Sequence, residues 1–87
     1  NLEDTICAGA ISDFLISTGN FISIEDSSIA AKYLFLSAKD NYLGYLKSSS
    51  HRRRLKNLNL NEDIKYCLTP NQTDVIPILK NGKLVIA

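Results

Sequence analysis

The sequence predicts an α/β fold in which these residues form a mostly helical portion closed by a C-terminal β-hairpin. Three observations carry that prediction. Apolar residues recur at helical spacing through the first two-thirds of the chain, and residues that start and stop helices punctuate the segments. After "TPNQT" the pattern changes to "DVIPILKNGKLVIA", two β-branched runs on either side of Asn81-Gly82, a type I′ hairpin signature. Two strands are too few to form a stable sheet alone, so the hairpin is expected to join strands contributed from elsewhere. Residues 1–87 are therefore read as a single portion of a larger α/β domain.

The first helix is expected over about 4–18 in "LEDTICAGAISDFLIS", with Cys7, Ile11, Phe14 and Leu15 on one stripe and Ile6 and Ala10 beside it. Asp4 is placed to cap its start and Gly19 to end it in a left-handed conformation. The second, about 24–38, opens at "SIED", where Ser23 and Asp26 have capping-box spacing. Ile29, Tyr33 and Leu36 form one row on it, and Ala30, Leu34 and Ala38 another. A shorter segment, about 40–47, is expected under an Asp40 cap, with Gly44 weakening it. A fourth helix, about 50–57, follows a cap at Ser49 or Ser50, and Asn59 is placed to end it left-handed. The last, about 62–67, has Asn61 at its start and Glu62 and Asp63 in its first turn, where the helix dipole favours acids. The hairpin is expected over about 74–86, with Pro77 inside its first strand and removing ladder partners on one side.

Composition excludes several classes. With 45% apolar and 22% charged residues the chain is globular rather than disordered. A net charge of +1 lacks the basic excess of an electrostatic nucleic-acid binder, which makes the arginine run a local feature. Cys7 and Cys67 stand far apart with no CxxC and a single histidine in the chain, so neither zinc nor a disulfide scaffold is expected. They read as two buried thiols in a reducing compartment. The apolar runs are too short for a membrane span and no leader pattern opens the chain, so a cytoplasmic location is expected. The sequence has no methionine and begins at Asn1, which reads as a piece of a longer polypeptide.

The chemistry-bearing stretch is "SSSHRRRLKNLNLNEDIKYC", residues 48–67. Serines before a helix start offer free N–H groups to an anion, and arginine adds bidentate hydrogen bonds. The arginines are expected in the first turn, where the dipole disfavours cations, which makes sense if an anion shares the site. The competing reading is a solvated basic face neutralised by Glu62 or Asp63. His51 is the one imidazole in the chain, a residue type suited to act as general acid or anion donor near neutral pH. Glu3 and Asp4 are adjacent carboxylates ahead of "CAGA"; such oxygens suit Mg²⁺, while a helix cap plus a dipole-favourable acid explains them as well. Ala8, Gly9 and Ala10 allow close approach of a ligand or of another backbone, as in helix–sheet packing.

Three motifs in register resemble one known family: Glu3-Asp4-x-x-Cys7-Ala8-Gly9, Ser49-x-His51-x-Arg53-Arg54-Leu55 and Asp74-Val75-Ile76-Pro77. Together they look like the C-terminal third of 2-phosphosulfolactate phosphatase, over nearly the whole chain. The resemblance implies a layered α/β enzyme of coenzyme M biosynthesis that uses Mg²⁺ to hydrolyse 2-phosphosulfolactate to sulfolactate and phosphate. It makes Glu3 and Asp4 candidates for the metal and, with His51, for catalysis. It makes Ser49, His51, Arg53 and Arg54 candidates for holding the phosphate or sulfonate of a small anionic phosphoester. The expected partner is the N-terminal remainder of the same enzyme, without which residues 1–87 should not be catalytic; neither nucleic acid nor membrane is expected, and a homo-oligomer is compatible. Arg52 stands where the family often has glycine, and Asn59 replaces the glycine of an "LGL" pattern. Two other classes remain beside this one: a module that binds nucleic acid or an acidic protein through residues 51–56, and a purely structural domain.

Overall fold

The computed structural model describes residues 1–58 and 60–87, with His51 and Arg52 described by backbone alone. Five helices precede one hairpin: α1 (Leu2–Ser17), α2 (Asp26–Ala38), α3 (Tyr42–Tyr45), α4 (Ser50–Asn57), α5 (Asn61–Cys67), β1 (Pro77–Lys80) and β2 (Lys83–Ile86). The expected helices and hairpin are all present. The left-handed ending expected at Asn59 lies outside the described residues.

Caps account for most boundary differences. The side chain of Asn1, rather than Asp4, caps α1 by accepting from the Asp4 N–H at 3.1 Å. Gly19 does take a left-handed backbone (φ 81°) just after α1. The capping box expected from Ser23 does not form: α2 starts after Glu25 with no side-chain cap, and the Ser23 hydroxyl is buried without a partner. Asn41, one residue beyond Asp40, caps α3 through the Gly44 N–H at 2.9 Å. An amide oxygen competes well with a carboxylate for such positions, so either neighbour satisfies the rule.

α1 packs along α2, and this is where Gly9 acts. A Cβ on Gly9 would collide with the Ala31 carbonyl oxygen, so only glycine permits this crossing. The close approach anticipated at Ala8-Gly9-Ala10 is thus helix on helix, not helix on sheet. The core around it is small: Ile6, Ala38 and Leu46 are buried, with Leu34, Phe35, Tyr42 and Leu68 packed against them. The stripe expected to be buried on α1 is not. Ile6 and Gly9 face inward, whereas Cys7, Ile11 and Phe14 are exposed. α1 carries apolar residues on several sides, so periodicity alone does not select the covered one.

The hairpin turns at Asn81-Gly82, both with positive φ (52° and 73°), as a type I′ turn requires. Its register pairs Pro77 with Ile86, Ile78 with Val85, Leu79 with Leu84 and Lys80 with Lys83. Pro77 begins β1 rather than interrupting it, and every residue of both strands is exposed. The radius of gyration, 15.0 Å, exceeds the ~12 Å of a compact globule of this length. The accessible surface is 6993 Å², against about 5,100 Å² for a compact protein of 9.7 kDa. The helices and hairpin thus leave much apolar surface uncovered.

Candidate functional site

Glu3 lies in the first turn of α1, and Ser49 immediately precedes α4. The Ser49 carbonyl accepts the Arg53 N–H at 3.1 Å, so the residue stands at the helix entrance. Its hydroxyl, however, donates to Glu3 Oε1 at 2.8 Å, across 46 positions of sequence. Ser49 is 5% exposed, and the second oxygen of the carboxylate, Glu3 Oε2, is buried without a hydrogen-bond partner among the described residues. A carboxylate oxygen in that position is open to a cation or a donor from outside the chain.

Beside this pair lies a cleft of about 150 Å³, with Glu3 and Asp4 on one wall and Leu46, Leu55, Ile64 and Leu68 on the others. A second concavity of about 210 Å³ shares Glu3, Cys67 and Leu68, and adds Cys7 and Tyr42. The walls are mostly apolar; in the first cleft the polar side chains are Glu3, Asp4 and Asn1. Among the described residues, no lysine or arginine lines either cleft. The two thiols, expected to be buried, are exposed instead: little packs over the outer face of α1, and Cys67 ends the short α5.

The remaining predicted site residues divide. Asp4 is exposed at the cleft edge. Arg53 is exposed, and its guanidinium donates to the Ser48 carbonyl at 2.9 Å, tying α4 to the loop before it. Arg54 is exposed and sits with Lys56 in the last turn of α4, not the first. There the dipole favours a cation, so an anion is not needed to explain Arg54. The correction follows from helix length: eight residues are barely two turns, and the fifth already belongs to the second. The helix backbone includes His51, whose side chain, like that of Arg52, is outside the described residues.

The structure therefore brings together Glu3, Asp4 and Ser49, whereas Arg53 and Arg54 are exposed and line neither cleft. Leu46, Leu55, Ile64 and Leu68 complete the site and escaped sequence reasoning, because isolated leucines and isoleucines in short helices read as core. Among the described residues, no group of three or more His, Cys, Asp or Glu side chains could hold a metal ion. A two-carboxylate site remains within reach of Mg²⁺, which keeps several waters and often takes only one or two protein carboxylates. The partnerless Glu3 Oε2 fits that requirement. No helix among the described residues is long and apolar enough to cross a membrane.

The family model for 2-phosphosulpholactate phosphatase matches residues 1–82. Curated relatives are about two-fifths identical to the chain over the residues that align. A protein of Cyanothece sp. named "Probable 2-phosphosulfolactate phosphatase" is 40% identical over 100% of the chain and 37% of its own length. One of Microcystis aeruginosa with the same name is 39% identical over 99% of the chain and 36% of its own length. One of Caldanaerobacter subterraneus, again so named, is 40% identical over 94% of the chain and 34% of its own length. The chain spans about a third of the length of these relatives. No solved structure matches it.

Proposed function

Because the chain belongs to the 2-phosphosulpholactate phosphatase family, we propose that it is the C-terminal portion of a Mg²⁺-dependent phosphatase that hydrolyses 2-phosphosulfolactate to sulfolactate and phosphate. In this reading the helices and hairpin complete a layered α/β fold, and the enzyme works in the cytoplasm on a small anionic phosphoester, in chemistry of the coenzyme M biosynthetic type. Support comes from the family match, from the names of the relatives and from one structural observation. That observation is the Ser49–Glu3 contact, which fixes a buried carboxylate oxygen without a partner at the edge of a cleft.

Hydrolysis requires water to attack phosphorus, the ester P–O bond to break and the departing oxygen to gain a proton. Glu3 and Asp4 are the side chains that would hold Mg²⁺. The ion, when bound, offsets charge on the phosphoryl oxygens and orients the ester. Ser49 holds Glu3 in place through its hydroxyl, and Glu3 or Asp4 positions the attacking water. His51 is assigned the proton donated to the departing oxygen. The substrate carries phosphate, sulfonate and carboxylate, so several cationic donors are needed to neutralise it. Arg53, Arg54 and the N–H groups at the start of α4 are assigned to that task. Both arginines are exposed, so the remainder of the enzyme would close the site over them.

The reading is tested in a chimera in which this chain replaces the matching third of the Cyanothece relative. Release of phosphate from 2-phosphosulfolactate in the presence of Mg²⁺ is the expected result. A folded chimera that leaves this ester intact while hydrolysing another would overturn the substrate assignment.

A further inference from the structure

The hairpin has two unlike edges. In an antiparallel pair, opposed residues alternate between those bonded across the ladder and those whose N–H and C=O point away. The two-residue turn makes Lys80 and Lys83 a bonded pair, and the Ala87 N–H reaches the Ile76 carbonyl at 2.9 Å, which sets the same phase at the far end. Pro77, Leu79, Leu84 and Ile86 therefore direct their backbone groups outward. On the β1 side this edge is blunted. Pro77 has no N–H, and the Val75 N–H next along is taken by the Thr73 hydroxyl at 3.1 Å, leaving only that of Leu79. On the β2 side, Leu84 and Ile86 present complete N–H and C=O pairs, and no proline interrupts them.

The faces are equally uneven. Pro77, Leu79, Leu84 and Ile86 share one face, on which the last three are 74%, 74% and 73% exposed. Ile78 and Val85 lie on the other, with Lys80 and Lys83 at the turn. A strand pair that is apolar on both faces belongs inside a layered sheet, not at a solvated surface. The chain exposes about 1,900 Å² beyond a compact protein of its mass, more than the ~800 Å² that one partner gives to a standard interface. The relatives it matches contain roughly another two-thirds of sequence that it does not span.

We propose that the outer edge of β2, through Leu84 and Ile86, pairs with a strand from the part of the family enzyme this chain does not span, leaving β1 as the edge strand of the completed sheet. The proline and the Thr73 hydroxyl then mark the end of the sheet, where a strand protects itself from further pairing. The inference rests on reading the chain as part of a larger enzyme, but its test requires no turnover. Hydrogen exchange would be compared residue by residue between the isolated chain and the chimera with the Cyanothece relative. The Leu84 and Ile86 amides should exchange at least about 100-fold more slowly in the chimera, and the Leu79 amide should stay within about threefold. Slowing at Leu79 without slowing at Leu84 and Ile86, or at none of them, overturns the proposal. So does a dimer of the isolated chain in which Leu84 and Ile86 are already protected, since the edge would then belong to a second copy. If the chimera does not fold, the chain can be co-expressed with the uncovered segment of that relative. Leu84→Pro should then lower the recovered complex about tenfold or more, and Leu79→Pro by less than about twofold, because each removes one outward N–H and no ladder bond. Equal losses, or no complex with the unaltered chain, count against the assignment. A complex that forms and is protected at β2, yet leaves 2-phosphosulfolactate intact, refutes the catalytic reading alone.

Discussion

Ser49 donates its hydroxyl to the Glu3 carboxylate at 2.8 Å, and this bond joins the entrance of α4 to the first turn of α1. Among the described residues Glu3 Oε2 has no hydrogen-bond partner, and the serine on Oε1 is the side chain seen to hold this carboxylate at the cleft. Ser49→Ala should lower stability by about 1–3 kcal/mol, the cost of leaving a charged acceptor further unsatisfied. The check is urea unfolding, with a lower midpoint at unchanged slope. Adding Glu3→Ala should cost less than the two single changes summed, since both remove the same bond. Strict additivity would show that the contact contributes little.

A second prediction concerns the α1–α2 crossing. Gly9→Ala should cost about 3 kcal/mol or more, because the new Cβ would meet the Ala31 carbonyl, a backbone group that cannot rotate away. Gly19→Ala meets nothing within 4 Å and has only its positive φ to contend with, so its cost should be about 1–2 kcal/mol. Thermal unfolding of the two variants should therefore rank Gly9→Ala well below Gly19→Ala.

These sites also show what could be read in advance. The Asn81-Gly82 turn and the span of α4 over residues 50–57 were legible, because turn chemistry and a serine-flanked start are local signals. The covered face of α1 was not: Ile6 and Gly9 turn inward while Ile11 and Phe14 stay exposed, and an all-round apolar helix has no strong periodicity to resolve. Glu3 and Asp4, expected from the sequence as metal candidates, line one cleft, whereas Ser49, expected to hold an anion, donates its hydroxyl to Glu3. A hydrogen bond between residues 46 positions apart leaves no trace in either local pattern. Arg54 lies in the last turn, not the first, because the helix that carries it has only eight residues.

Arg54→Ala in the chimera should reduce kcat/KM for 2-phosphosulfolactate by about 100-fold, the usual effect of removing a donor to a developing anion. Arg53→Ala also removes the link to the Ser48 carbonyl, so it should lower both activity and stability. Steady-state kinetics and urea unfolding of both variants are the check. Equal turnover of Arg54→Ala and the parent chimera would remove Arg54 from the site.

The metal assignment makes the last prediction, and it follows from how few oxygens the chain offers. Mg²⁺ prefers oxygen ligands in octahedral geometry and parts with its waters reluctantly, so two carboxylates and a phosphate can suffice. Glu3 is fixed by Ser49, whereas Asp4 is exposed and its side chain adapts at the cost of some rotamer freedom. Glu3→Gln should therefore weaken Mg²⁺ binding to the chimera more than Asp4→Asn, by about tenfold or more against a few-fold, measured by titration calorimetry without substrate. A chelator should stop phosphate release, and added Mg²⁺ should restore it. Turnover that survives the chelator would remove the metal from the mechanism. Unchanged calorimetry in both variants, with a metal-dependent rate, would instead move its ligands to the part of the enzyme beyond this chain.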